Sequence, residues 1–246
     1  MEKIGIIIPE ELGIGDKVQF CHIPENFYKN YGVKLIDVSN CWVFDKNPCI
    51  ERGVNPDKVL DLWSLPYNNG DYLSRAEFFN SFFKFSKIYC RSTRLYFNEE
   101  PKHIIPNKIC LHSQGISSKS IFSCKIIEKI KERYGNYDIV QVGGKGDVDC
   151  GVNDLRGLKM WDTVKEISTS AIFIGVNSGM MNIANCYPHI NKKIIIDLSS
   201  GQFDENLNGF SPLSANHHLF GWVDYGWQYY NDTELDIGCT YSYNKI

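Results

Sequence analysis

The sequence predicts an α/β protein of two domains, each with a parallel sheet, facing one another across a cleft. Three observations carry this. Short runs of β-branched residues alternate with stretches of helical period on both sides of residues 98–107. That segment itself holds two prolines, two glutamates and a lysine between apolar neighbours, a composition that suits a linker. The length of 246 residues, 43% of them hydrophobic, supports two cores of ordinary size. The expected domains are 1–100 and 101–246.

In the first half, Ile4 to Ile8 is an apolar run closed by Pro9 and reads as a buried strand. The tight segment Gly13-Ile14-Gly15-Asp16 follows, and Val18, Phe20, Ile23 and Phe27 then recur near helical spacing, broken by Pro24. Val33 to Val38 and Val59 to Leu62 are the next strands. Arg75 to Cys90 carries Phe78, Phe79, Phe82, Phe83 and Phe85 on more than one face, which suits a buried helix whose aromatics form core.

The second half repeats the alternation. Lys108 to His112 is a strand, Ser120 to Tyr134 a helix, Asp138 to Val142 a strand and Met160 to Thr169 a helix. Ala171 to Val176 is a strand, Gly179 to Cys186 a short helix and Lys193 to Leu198 the last clear strand. The tail beyond Ser199, with Trp222, Tyr225, Trp227, Tyr229 and Tyr230, has no period and is expected to pack back on one domain.

Composition narrows the function. A net charge of −3 gives no general footprint for nucleic acid. No apolar run approaches the about 18 residues of a membrane helix, and Met1-Glu2-Lys3-Ile4 lacks the pattern of a signal peptide. Nine cysteines, an odd number without a CxxC pair, fit reduced thiols in a cytosolic protein better than a disulfide framework or a zinc site. The six histidines, His217-His218 included, suggest no metal cluster.

In open α/β sheets ligands bind beyond the carboxyl ends of strands, so three loops carry the argument. Gly13-Ile14-Gly15-Asp16 lacks the third glycine of a dinucleotide fingerprint, Val18 standing in its place. Asp16 reads either as a partner of its helix dipole or as a carboxylate aimed into the cleft as a general base. Val142-Gly143-Gly144-Lys145-Gly146-Asp147 follows a strand and reads either as a flexible turn or as a ligand-contacting loop, where Asp147 could accept ribose hydroxyls. Asn177-Ser178-Gly179-Met180 turns a strand directly into a helix. Free amides there suit an anion, unless Ser178 or Asn177 caps them. Lys119, placed against its own helix dipole, is easier to understand beside a phosphate.

Asp154-Leu155-Arg156-Gly157-Leu158, Val164-Lys165-Glu166-Ile167 and Ala171 to Ala184, with Ile109 to Gly115, Lys119, the loop through Gly144 and Leu12 to Asp16, resemble the family 9 glycosyltransferases, the lipopolysaccharide heptosyltransferase-like enzymes of bacteria. The resemblance covers most of 4–30 and 108–198. It implies a GT-B fold of two Rossmann-like domains, with a nucleotide-diphosphate sugar as donor and no further cofactor or metal. It implies Asp16 as the catalytic base beside Gly13 and Gly15. Ser113, Lys119, Gly144, Asp147, Asn177, Ser178, Gly179, Met180 and Asn182 would serve the donor. The expected reaction is inverting transfer of a heptose or similar sugar to a glycan or glycolipid of the bacterial surface, in the cytoplasm at the inner face of the membrane.

The family's Asp-Ser-Gly-x-x-His reads here Asn177-Ser178-Gly179-Met180-Met181-Asn182, so both ionisable members are amides. That departure motivates a second reading, a nucleotide-sugar-binding protein of the same fold without transfer. A third, an epimerase or dehydrogenase using a dinucleotide, is opposed by the missing glycine.

Overall fold

The computed structural model describes residues 2–66, 75–89, 94–97, 103–116, 121–176, 178–187, 189–190 and 192–196, and four short strands beyond residue 200. The described residues form two compact units, one drawn from 1–100 and the other from 101–212 and 224–246.

In the first unit, β1 (Ile4–Ile7) and β2 (Leu35–Asp37) lie beside β3 (Ile50–Glu51) and β4 (Lys58–Asp61) in a parallel sheet of order β3-β2-β1-β4. The helical period after β1 resolves into α1 (Ile14–Val18), a 3-10 turn Gln19–His22 and α2 (Ile23–Tyr31). Pro24 does not break a helix. It occupies the first turn of α2, where its missing N–H is no loss, and the 3-10 turn absorbs the change of direction. The phenylalanine-rich helix α3 (Arg75–Phe82) is shorter than its sequence period, because Lys84 takes a left-handed φ of 54° and ends it. Phe78, Phe79 and Phe83 are buried, and Phe79 and Phe83 meet Phe20 and Phe27 edge to face at 5.4 and 5.6 Å. Phe78, Phe79 and Phe83 are core as expected, whereas Phe82 is exposed and Phe85 only partly buried, because the helix ends before its last face can be covered.

The second unit holds β5 (Ile105–His112), α4 (Cys124–Tyr134), β6 (Asp138–Gln141), β7 (Asn153–Asp154), α5 (Met160–Ser168), β8 (Ser170–Gly175), α6 (Gly179–Asn185) and β9 (Lys192–Ile196). β10 (Phe203–Asp204) and β11 (Gly209–Phe210) form a small antiparallel pair. β12 (Trp227–Tyr230) and β13 (Tyr241–Ser242) complete a seven-stranded sheet of order β13-β12-β9-β8-β5-β6-β7, with β13 antiparallel to β12 and the other pairs parallel. The described part of the tail thus adds strands at a sheet edge.

The core of this unit sets Ile126, Ile127 and Ile130 of α4 against Ile109, Leu111, Ile172 and Ile174 of the central strands. Ser123 caps α4 by accepting the Ile126 N–H at 3.3 Å, so the helix starts there and not at Ser120, which lies outside the described residues. β5 begins within the expected linker, at Ile105, with a register irregularity between Ile105 and Ile109. Seven cysteines fall among the described residues, and all are free thiols. No helix of the described residues is long and apolar enough to cross a membrane.

Candidate functional site

Each sheet has a switch point, where successive crossovers leave in opposite directions and the strand ends open a crevice. In the first sheet it lies at β1, between β2 and β4. The chain leaves β1 through Pro9 to Gly13 and enters α1, whose first turn carries Asp16. Gly13 takes the N-cap position and accepts the Lys17 N–H at 3.1 Å, while Gly15 lies within α1. Asp16 is partly exposed, in the first turn of the helix that follows the carboxyl end of β1, the end where such folds bind ligands.

In the second sheet the switch point lies between β5 and β8. His112 ends β5, and Ser178 stands at the N-cap position of α6, just past β8. Ser178 makes no cap hydrogen bond with its side chain. Its Oγ lies 2.9 Å from His112 Nδ1 instead. On the far side of the ring, His112 Nε2 lies 3.5 Å from Asp147 Oδ2.

Asp147 is held by the glycine loop that precedes it. Its Oδ2 accepts the Gly144 N–H at 2.9 Å, and its own N–H donates to the Gly144 carbonyl at 3.0 Å. Gly143 has a φ of 135°, and a β-carbon there would stand 2.1 Å from Asp147 Oδ2. Only glycine allows the carboxylate to approach so closely.

Arg156 fixes the loop from behind. Its guanidinium donates to Asp154 through Nε and Nη2 at 2.8 and 2.9 Å, and to the Asp147 carbonyl through Nη1 at 2.5 Å. The Asp154 carboxyl is pushed down to about 2, chiefly by its hydrogen bonds from this arginine.

Of the residues predicted for the donor, Ser178, Gly179, Gly144 and Asp147 gather at this end of the second sheet. Ser113 is fully buried, and its hydroxyl donates to the Val148 carbonyl at 2.9 Å while accepting from Gln141 Nε2 at 3.0 Å. It shapes the loop from beneath. Met180 is buried in α6, so its backbone is what it could offer a ligand. Asn182 is also buried, and its Oδ1 has no hydrogen-bond partner among the described residues. Lys119 and Asn177 lie outside the described residues.

Sequence reasoning missed His112, because the histidines were weighed only as metal ligands. The signal was its place as the last residue of a central strand, where side chains face the crevice.

No protein-family model and no curated protein sequence matches the chain. Among solved structures, the family 9 glycosyltransferase of Veillonella parvula superposes with a TM-score of 0.66 at 12% identity, over 96% of this chain and 88% of that one. The dodecameric, iron-containing glycosyltransferase TibC of enterotoxigenic E. coli gives 0.59 at 16%, over 80% of this chain and 58% of that one. TibC in complex with ADP-D-β-D-heptose gives 0.59 at 15%. The ADP-heptose lipopolysaccharide heptosyltransferase II of E. coli gives 0.57 at 11%, over 79% and 84%.

This chain has the fold of the family 9 glycosyltransferases. The two α/β units with their parallel sheets are those of the GT-B architecture, as the resemblance implied. The chain spans 58% of the length of TibC. Iron is a property of TibC. Among the described residues here, no group of three His, Cys, Asp or Glu side chains is placed to hold a metal ion, so they do not fit such a group.

Proposed function

We propose that the chain is a metal-independent glycosyltransferase that moves a sugar from a nucleotide-diphosphate donor to an acceptor hydroxyl with inversion. The observation that carries this is the convergence of the Gly143–Asp147 loop and the β8–α6 turn on the switch point of the second sheet. The complex of TibC with ADP-D-β-D-heptose supports a nucleotide sugar as the donor here, with a heptose or similar sugar. A glycan or glycolipid of the bacterial surface is the matching acceptor, reached by peripheral association with the inner face of the membrane.

In this reading the Asp16 carboxylate takes the proton of the acceptor hydroxyl. The oxygen attacks the anomeric carbon opposite the diphosphate, the bond to the diphosphate oxygen breaks, and the configuration inverts. Negative charge growing on the leaving group is met by Lys119 and by the backbone amides that follow Ser178. Asp147 and the Gly144 backbone line the same loop for the nucleoside.

Asp16→Ala should abolish release of nucleoside diphosphate in the presence of acceptor while leaving donor binding within about twofold, since Asp16 serves the acceptor. Ordinary turnover by a folded Asp16→Ala protein overturns the base assignment. The second reading, binding without transfer, is favoured by Asn177 and Asn182 where the family carries ionisable residues. Tight diphosphate binding with no turnover on any nucleotide sugar would decide for it.

A further inference from the structure

One segment of the first unit differs in composition from the rest of this mildly acidic chain. From Phe78 to Asn98 the sequence holds Lys84, Lys87, Arg91 and Arg94, no Asp or Glu, and a run of Phe and Tyr. Burial accounts for Phe78, Phe79 and Phe83. It does not account for Phe82 and Tyr89, which are 38% and 44% exposed, or for Lys84 and Lys87, which are exposed beside them. Nothing in the transfer chemistry above uses these residues.

The stretch beyond α3 has no regular backbone, yet α2 holds it at defined points. The Tyr31 hydroxyl donates to the Phe83 carbonyl. Asn30 Oδ1 accepts the Ser86 and Lys87 N–H groups at 3.0 and 3.2 Å, and its Nδ2 donates to the Lys87 carbonyl at 2.8 Å. Asn26 Oδ1 accepts the Tyr89 N–H at 2.8 Å. Asn26 and Asn30 lie one turn apart on α2, so the stretch runs along that side of the helix. Its lysines and Tyr89 are thus presented on a scaffold that is already ordered.

The helix adds a charge of its own. Lys29 Nζ lies 5.7 Å from the centre of the Tyr89 ring, and Lys87 Nζ lies 5.0 Å from it. Glu25 pairs with Lys29 and accepts the Tyr96 hydroxyl at 2.7 Å, while the Arg94 guanidinium lies over the Tyr96 ring at 5.0 Å. Among the described residues no carboxylate pairs with Lys84 or Lys87. The face is therefore positive in a chain whose net charge is −3.

Exposed aromatic rings flanked by lysines match the chemistry of an anionic bilayer. The ammonium groups meet the lipid phosphates, and Phe and Tyr rings enter the headgroup layer. Nucleic acid would match the charge but fits the rings less well. Phe82 already packs on Phe83 and Phe78 at 5.1 and 5.9 Å, and two ammonium groups attend Tyr89, which makes both rings poorer platforms for a stacked base.

We propose that the stretch from Phe82 to Tyr89, with Lys29 beside it, is a docking surface for an anionic lipid bilayer. The inference deepens the reading of the acceptor as a membrane glycolipid and rests on that reading for its purpose. Each lysine at such a surface is worth about a fivefold factor in partition, and salt screens the attraction.

The test is cosedimentation of the full chain with vesicles of phosphatidylcholine alone or of an equimolar mixture with phosphatidylglycerol. The expected result is binding to the mixed vesicles, little to the neutral ones, and release as salt is raised. Lys84→Gln with Lys87→Gln should weaken binding about twenty-five-fold. Replacing the exposed Lys125 and Arg133 of α4 by Gln should leave it as in the wild type. Calorimetry with ADP and UDP should give the same affinity for all three proteins.

Absence of binding to the mixed vesicles, equal binding to neutral ones, or a Lys84/Lys87 variant that binds like the wild type overturns the proposal. So does release of the chain from vesicles by single-stranded RNA that binds it through the same lysines. If neither nucleotide binds the wild type, the donor reading falls while the vesicle result stands by itself. Should the double variant not fold, hydrogen exchange of the wild type decides, with protection by mixed vesicles at residues 82–89 expected and its absence there decisive against the surface.

Discussion

Gln141 Nε2 donates to the Val148 carbonyl across 2.6 Å, and the same side chain accepts the Cys150 N–H at 2.9 Å through Oε1. One fully buried amide at the end of β6 therefore ties down the chain that returns after the glycine loop. A loop with four glycines between 143 and 151 has little apolar contact of its own. Its shape is held by this amide and by the Ser113 hydroxyl beside it.

Gln141→Leu should keep the volume and lose the hydrogen bonds. It leaves the Cys150 N–H without its acceptor and Ser113 Oγ without its donor, at a cost of about 2 to 3 kcal/mol. Urea unfolding should show the lower midpoint, and affinity for ADP or UDP should fall because Asp147 loses its support. Unchanged stability would mean that the loop does not depend on Gln141.

Gly143→Ala tests the close approach of Asp147 to His112. The new methyl group has no room at 2.1 Å from the carboxylate, and a φ of 135° strains any residue with a β-carbon. The carboxylate has to leave, so the histidine NMR signal of His112 should move towards that of a ring without a charged neighbour. Wild-type chemical shifts in a folded Gly143→Ala protein would show that Asp147 does not face His112.

Arg156→Lys should behave as a loss. The guanidinium binds Asp154 through Nε and Nη2, meets the Asp149 carboxylate through the same Nη2 and reaches the Asp147 carbonyl through Nη1, which one ammonium cannot reproduce. Nucleotide affinity should drop severalfold while the unfolding midpoint changes little, because Asp154 and Asp149 are exposed and gain hydration in return. The two readouts, calorimetric affinity and urea midpoint, separate loss of loop geometry from loss of fold. Affinity equal to wild type would remove Arg156 from the support of the site.

Most of the architecture was legible because burial imposes period. The apolar runs at Ile4, Leu35, Ile109, Ile139 and Ile172 mark strands covered on both faces, and Ile126, Ile127 and Ile130 mark one face of a helix. Ile50–Glu51 and Asn153–Asp154 were not legible, since two-residue edge strands are too short to carry a period. The loops that hold the site could be read from glycine and the helix starts. The row through His112 could not, because its members are 35 and 31 residues apart, from His112 to Asp147 and from Asp147 to Ser178, and only the parallel order of β6, β5 and β8 brings them together. Ser113, which the family resemblance assigns to the donor, is buried at the start of the crevice and gives its hydroxyl proton to the Val148 carbonyl, a contact no local pattern announces.

His22 gives the first unit a pH dependence of defined sign. The ring is buried beside Phe79, with Nδ1 2.7 Å from the Gln19 carbonyl. Burial pushes its pKa down to about 4 from 6.5, against the opposing pull of that carbonyl. Above pH 6.5 folded and unfolded chains are both neutral here, and the stability is whole. Between 6.5 and 4 the unfolded chain takes up a proton that the fold refuses, so stability falls as pH falls, by about 3 kcal/mol at this one group. His22→Leu should lower stability at neutral pH through the lost hydrogen bond and flatten the decline from pH 6.5 to pH 4 relative to wild type. Urea midpoints at several pH values in that window, for both proteins, measure the difference in slope. Carboxylates elsewhere contribute equally to the two curves and cancel. Parallel curves would mean that His22 is protonated in the fold, and the burial that defines the core around Phe20 and Phe79 would have to be redrawn.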